Sequence, residues 1–134
     1  MTIDEQISKF LASPAFGVVG ASANRDKFGN KVLRCYLQNG RSATPVNPVE
    51  AEIEGVACVS SVSGLPANVE SISMITPPAL TAQIVPLAIE KGIRNIWMQP
   101  GAGHPDAVAL CREKGINVIA DGSCVLVVMG YHDH

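Results

Sequence analysis

Three times in this chain a helical pattern stops at a glycine and an apolar run follows within a few residues: at Asn39-Gly40, Lys91-Gly92 and Lys114-Gly115. Glycine enters the left-handed conformation that ends a helix without a Cβ penalty. The runs concerned are Ala43-Thr44-Pro45-Val46, Asn95-Ile96-Trp97-Met98 and Asn117-Val118-Ile119-Ala120, joined by Phe16-Gly17-Val18-Val19-Gly20 and Ile72-Ser73-Met74-Ile75. They are continuously apolar rather than alternating, as strands covered on both faces are. Helix, stop and strand repeated in this order predict βα units, right-handed crossovers and one α/β domain with a doubly wound parallel sheet.

The helices are legible at the same level. Thr2-Ile3-Asp4-Glu5 reads as a capping box opening a first helix that stops near Ser13-Pro14. From Phe28 to Gln38, Phe28, Val32, Leu33, Tyr36 and Leu37 share one face, and Lys27, Lys31 and Arg34 another. From Ala79 to Lys91 the pattern turns Leu80, Ile84, Leu87 and Ala88 inward, and Pro86 predicts a bend or a shortened helix. Pro105 suits the first position of a third such helix. The segment Cys124–Met129 is apolar and leaves three readings open: a last strand, a docking helix or part of a subunit interface.

Composition narrows the function. The chain has 134 residues, the length of one domain, with no internal linker or repeat, so residues 1–134 are expected to form a single unit. Charged residues are 16% against about 25% in ordinary domains, which excludes a disordered chain and a charged coiled coil. No apolar run approaches the roughly 18 residues of a membrane span, and the start is acidic and polar, unlike a secretory signal. Cys35, Cys58, Cys111 and Cys124 lack C-x-x-C spacing, so reduced thiols and a cytoplasmic location are expected, with no metal site. A net charge of −2 predicts no nucleic-acid partner. Yet Arg25, Lys27, Lys31, Arg34 and Arg41, opposed only by Asp26, make residues 25–41 carry +4. Such a cluster in an acidic chain is either an anion-facing rim or a solvated helix face.

Ligands of such sheets lie at the carboxyl ends of the strands. Four loops qualify. Gly20, Ala21 and Ser22 lead from a strand into a helix N-terminus, a setting that favours phosphate, and Arg25 and Lys27 add charge. Val46, Asn47 and Pro48 form a stiff second loop with one amide. Thr76, Pro77 and Pro78 make a rigid apolar wall suited to a flat ring, or merely a stiff turn. Gln99, Pro100 and Gly101 open a fourth loop whose glycines let a ligand chain approach. Gly17-Val18-Val19-Gly20 lacks the G-x-G-x-x-G spacing, and the second strand ends in Asn47-Pro48 rather than a ribose-binding acid, which disfavours a nicotinamide cofactor.

No nucleophile and base stand at an interpretable spacing. His104 reads as a helix-capping loop residue, Cys124 as a small core residue, and His132, Asp133 and His134 as a chain tail rather than metal ligands.

Val18-Val19-Gly20-Ala21-Ser22, Val46-Asn47-Pro48, Ile53-Glu54-Gly55, Trp97-Met98-Gln99-Pro100-Gly101 and Gly115–Asp121 occur in this order in the small stand-alone CoA-binding proteins, which the chain resembles from about Phe10 to Cys124. That family is similar to the N-terminal CoA-binding domain of succinyl-CoA synthetase alpha subunits. The resemblance implies a three-layer Rossmann-like fold of strand order 3-2-1-4-5-6, with the short Ala57–Val59 run as third strand. It implies coenzyme A as cofactor. Gly20, Ala21, Ser22, Arg25 and Lys27 would hold phosphates. Val46, Asn47, Pro48, Thr76, Pro77 and Pro78 would line the adenosine half, and Gln99, Pro100 and Gly101 would face pantetheine. Two departures stand out: Val49 and Glu50 follow Asn47-Pro48 where members often carry a basic residue, and Asp121-Gly122-Ser123-Cys124 replaces an Asp-Arg-Cys ending.

The expected function is binding of CoA or an acyl-CoA by a carrier, sensor or regulatory module that is not itself an enzyme. A synthetase needs a nucleotide-grasp domain and a phosphohistidine loop, for which this length leaves no room. The competing expectation is an oxidoreductase or acyl-transfer component using His104 or Cys124. A third expectation is a regulatory subunit in which the apolar Val125–Met129 segment forms a partner or homodimer surface.

Overall fold

A computed structural model describes residues 1–133 of the chain. His134, part of the tail considered above, lies outside the described residues. Helix α1 (Ile3–Leu11) opens on the expected capping box: the Thr2 hydroxyl accepts from the Glu5 N–H, and the Glu5 carboxylate accepts from the Thr2 N–H, both at 3.2 Å. Then follow β1 (Ala15–Val19), α2 (Phe28–Gln38), β2 (Ser42–Val46), a small hairpin of β3 (Glu52–Ile53) and β4 (Val56–Ala57), and a 3₁₀ turn at Val62–Gly64. The second half runs β5 (Ser71–Met74), α3 (Pro78–Lys91), β6 (Asn95–Met98), α4 (Pro105–Glu113), β7 (Asn117–Ile119) and α5 (Val125–Met129). The three predicted helix stops, Gly40, Gly92 and Gly115, all have positive φ.

Five strands pair in parallel in the order β2-β1-β5-β6-β7. This is the anticipated Rossmann-like arrangement, but the strand expected at Ala57–Val59 is reduced. Ala57 belongs to the β3–β4 hairpin, and only Val59 reaches β2, through a single parallel bridge to Val46. The bridge rests on two hydrogen bonds, Asn47 N–H to the Val59 carbonyl and Val59 N–H to the Pro45 carbonyl, at 2.9 and 3.0 Å.

Both sheet faces are covered, which is why the strands read as unbroken apolar runs. Successive β1 residues point to opposite faces. Ala15 and Val19 join a core with Met74 and Ile96 beneath α3 and α4, where Val85, Ala88 and Cys111 are buried. Phe16 and Val18 join the other core, against α1, α2 and α5, with Phe10, Tyr36, Trp97 and Val125. The Phe16 and Tyr36 rings stack at 4.6 Å, and the Tyr36 hydroxyl is satisfied by Ser73 at 2.6 Å.

Helix α3 departs from its expected form twice. It runs unshortened through Pro86, whose ring lies on the exposed side of the helix. Its inward face is Thr81, Val85 and Ala88, whereas Leu80 and Leu87 are 41% and 51% exposed. Of the three readings of the last segment, the structure shows a helix: α5 packs on α2, burying Val125 and leaving Val127 outside.

Candidate functional site

Strand order reverses about β1, and the helices that follow β1 and its neighbour β5, α2 and α3, pack on opposite faces of the sheet. The loops leaving β1 and β5 therefore diverge and open a crevice. A cleft of about 320 Å³ lies there. Gly20, Ala21, Val46, Asn47, Pro48 and Thr76, six of the residues predicted from the loops, line it. Its far wall is Leu80, Ile84 and Leu87, with Ser60, Ser61 and Val62 closing one side. The leucines that helical periodicity assigned to the core are thus exposed because they face this cleft.

Backbone packing builds its floor. Gly20 has φ +94°, and a Cβ there would collide with the Ile75 carbonyl. A Cβ on Gly29, in the first turn of α2, would collide with the Gly20 carbonyl. Helix α2 can thus press against the end of β1 only through glycine. Gly29 was not among the predicted site residues; its one sequence signal is a glycine inside a helix, where it is normally unfavourable.

Asn47 locks the two main loops together. Its Nδ2 donates to the Ala21 carbonyl at 3.0 Å, and its Oδ1 accepts from the Val49 and Glu50 N–H groups at 2.8 and 2.9 Å. One amide hydrogen remains for a ligand. The Thr76 hydroxyl is likewise engaged, with Thr81 Oγ1 at 2.6 Å.

A second recess of about 400 Å³ lies past the N-terminus of α3, lined by Pro78, Gln99, Pro100 and Gly101 from the prediction and by Met98, Gly103, Ala120 and Gly122. Gln99 is 1% exposed. Its Oε1 accepts from the Val125 N–H at 2.9 Å, which fixes the orientation of the amide, and its Nε2 is buried with no hydrogen-bond partner. An unpaired buried donor costs about 1–3 kcal/mol. Ser22, Arg25, Lys27 and Pro77 line neither recess.

The basic segment is largely neutralised from within. Arg25 pairs with Glu54 at 2.5 Å. Lys31 and Arg34 face Asp133 at 3.6 and 3.3 Å. Arg41 donates to the Leu11 and Ser13 carbonyls and covers the Phe16 ring. Neither of the two readings of the cluster describes this: most of its charge serves internal contacts. Lys27, exposed at the N-cap of α2, is the member closest to the free cation expected of an anion-facing rim.

Neither His104 nor Cys124 lines the cleft or the second recess. His104 is the N-cap of α4, its Nδ1 accepting from the Asp106 N–H at 3.1 Å. It borders a recess of about 540 Å³ with Ile3, Gln6, Val108 and Arg112, which adjoins the second recess through Gly103 and Ala120. Cys124 stands at the N-cap position of α5 without a side-chain capping bond and is half-buried. Burial pushes the Cys35 and Cys111 thiols up to about 11. Among the described residues no group of three or more His, Cys, Asp or Glu side chains is placed to hold a metal ion. Nor is any helix among them long and apolar enough to cross a membrane.

The family model of a CoA binding domain matches residues 15–129. An uncharacterized protein, YneT, of Bacillus subtilis is 27% identical over 109 residues, 81% of each chain. The ADP-forming acetate–CoA ligase I of Archaeoglobus fulgidus is 34% identical over 74 residues, 55% of this chain but only 10% of the ligase. Among solved structures, a conserved hypothetical protein from Pyrococcus furiosus superposes with a TM-score of 0.81 at 36% identity, covering 85% of this chain and 97% of that one.

Proposed function

The chain belongs to the CoA binding domain family, and from that premise we propose that it binds coenzyme A or an acyl-CoA across the carboxyl ends of its sheet, as a carrier, sensor or regulatory module without catalysis of its own. One observation carries the reading. Leu80, Ile84 and Leu87 present an apolar wall to a cleft at the strand-order reversal, opposite Val46, Asn47 and Pro48. A flat purine fits such a wall by burying apolar surface, and the remaining Asn47 amide hydrogen is a donor to its edge.

In this reading Gly20, Ala21 and Ser22 offer uncrowded backbone to phosphate, with Arg25 and Lys27 nearby. Thr76, Pro77 and Pro78 separate the adenosine cleft from the second recess. Gln99, Pro100 and Gly101 take the pantetheine arm, whose amides supply acceptors of the kind the unpaired Gln99 Nε2 lacks. The non-catalytic part of the proposal is supported by the engagement of His104 in capping α4 rather than in the cleft.

Thermal unfolding with CoA, acetyl-CoA and NADH tests the reading. CoA or acetyl-CoA raises Tm in a concentration-dependent way, as any ligand selective for the native state does, and NADH leaves it unchanged. Stabilisation by NADH alone overturns the proposal. Turnover of acyl-CoA that vanishes in His104→Ala or Cys124→Ser would replace the module with an enzyme.

A further inference from the structure

The recess of about 540 Å³ between α1 and α4 has no role in the reading above. It lies against β7, the last strand of the sheet. Gln6 Nε2 donates to the Val118 carbonyl at 2.9 Å and to Asn117 Oδ1 at 3.2 Å, while Asn117 Nδ2 donates to the Gln6 carbonyl at 3.0 Å. These bonds latch α1 along the outer edge of β7 and occupy a carbonyl that a further strand would need. The recess therefore suits a ligand chain rather than strand addition. Ile3 and Val108 give it apolar walls, and charged groups stand toward its two ends. Asp121 follows the end of β7, on the side where His104 opens α4. Arg112 lies eight residues beyond His104, about 12 Å along the helix axis. The Asp121 carboxylate accepts from the Ser123 N–H at 3.0 Å, and hydrogen bonds from Ser123 hold it below the usual carboxylate range. Arg112 is exposed, and its guanidinium has no hydrogen bond or ion pair among the described residues. Gly103 and Ala120 line both this recess and the one assigned to the pantetheine arm, so the two adjoin at the Asp121 end.

We propose that this recess takes the acyl group of an acyl-CoA, and that it fits a chain ending in a carboxylate and long enough to pass Asp121 and reach Arg112. The proposal rests on the CoA reading, which puts the pantetheine arm, and with it the thioester, at the neighbouring recess. From there an acyl chain enters past Gly103 and Ala120, where no side chain extends beyond Cβ. Its methylenes gain by burial against Ile3 and Val108. A terminal carboxylate is repelled by Asp121 at the entrance and attracted by Arg112 farther in, where the guanidinium fork matches its two oxygens. The order of the two charges thus selects by length. A malonyl group holds its charge near Asp121, whereas an adipyl group carries it beyond. A hexanoyl group, equal in length but uncharged, gains the burial and leaves Arg112 to water.

Calorimetric titration of wild type, Arg112→Gln, Asp121→Asn and Arg94→Gln with CoA, malonyl-CoA, hexanoyl-CoA and adipyl-CoA tests this. Glutamine keeps the helix preference of exposed position 112, and asparagine keeps the Oδ1 that accepts from Ser123. Arg94→Gln removes an equal charge from an exposed residue just before β6, at the opposite end of the strands. Wild type binds adipyl-CoA about three- to five-fold more tightly than hexanoyl-CoA, the scale of an exposed ion pair. Arg112→Gln brings that ratio to about one, and Arg94→Gln keeps it. Asp121→Asn strengthens malonyl-CoA relative to CoA by about two- to three-fold. Equal binding of adipyl-CoA and hexanoyl-CoA by wild type, or an adipyl preference that survives Arg112→Gln, overturns the proposal while CoA binding itself leaves the CoA reading intact. An equal loss of preference in Arg94→Gln overturns it too, by reducing the effect to overall charge. No binding of CoA or of any thioester overturns the CoA reading and the proposal with it.

Discussion

The side-chain amide of Asn47 donates to the carbonyl of Ala21 at 3.0 Å, tying the end of β2 to the loop that leaves β1. The same residue's Oδ1 collects two backbone N–H groups of its own loop. One side chain thus sets the width of the cleft and the shape of its lip.

Asn47→Ala leaves a carbonyl and two N–H groups without their partner. The expected loss is about 1–3 kcal/mol in urea unfolding, together with weaker CoA binding. Asn47→Asp keeps the acceptor for Val49 and Glu50 but places a carboxylate against the Ala21 carbonyl. Its stability falls as well, and its CoA affinity falls further through repulsion of phosphate.

Leu87 and Val85 separate a ligand wall from a core position on one helix. Val85 is fully buried and Leu87 is 51% exposed. Val85→Ala is expected to lower stability by about 1–3 kcal/mol, whereas Leu87→Ala changes it by less than about 0.5 kcal/mol and raises the Kd for CoA several-fold. Denaturant unfolding and calorimetry on the same two variants separate the effects.

Gly29→Ala is expected to destabilise the chain although alanine is the better helix former. An exposed helical site would gain about 1 kcal/mol from this change. Here the added methyl meets the Gly20 carbonyl, and the resulting shift of α2 against β1 costs more than that gain. A Tm lower than wild type checks it; a higher Tm would show that the helix can slide away.

Alkaline pH should weaken the fold. Burial raises the Cys35 and Cys111 thiols to about 11 in the native state, against about 8.5 for an exposed thiol. Between these values the unfolded chain has lost protons that the folded chain keeps, so unfolding stability decreases as pH rises from about 8.5 to 11. Their contribution is fully present below about 8.5. Tyr36, also raised by burial, acts in the same direction at higher pH. Denaturant unfolding at pH 7.5 and 10 under reducing conditions should show the loss, and Cys111→Ala should flatten it.

The repeated glycine stops and continuous apolar runs made the parallel α/β sheet legible, because βα punctuation and two-sided burial leave direct marks on sequence. The capping box at Thr2 and Glu5 and the helix start at Pro105 were equally local and equally readable. The strand-end loops followed from topology alone, since a parallel sheet puts them on one edge, and ten of the fourteen predicted residues line the two recesses there. The third strand was not legible at its true length, because the Glu54-Gly55 turn draws Ala57 into a hairpin and leaves Val59 to make one bridge.

Charge was the least readable feature. A +4 segment looks the same in sequence whether its cations face a ligand or one another's counter-ions, and Glu54 and Asp133, which meet Arg25 and Arg34, are 29 and 99 residues away along the chain. The leucines of α3 carry the same lesson: periodicity reports that Leu80 and Leu87 share an apolar stripe, but not whether a strand or a cleft lies against it. The sequence by itself determined the succession of βα units, the sheet edge where their loops gather and the residue types offered there, since these depend on local preference and topology. Only the tertiary structure decided which amide, which cation and which leucine remain open to a ligand, since that depends on partners the chain brings together from far apart.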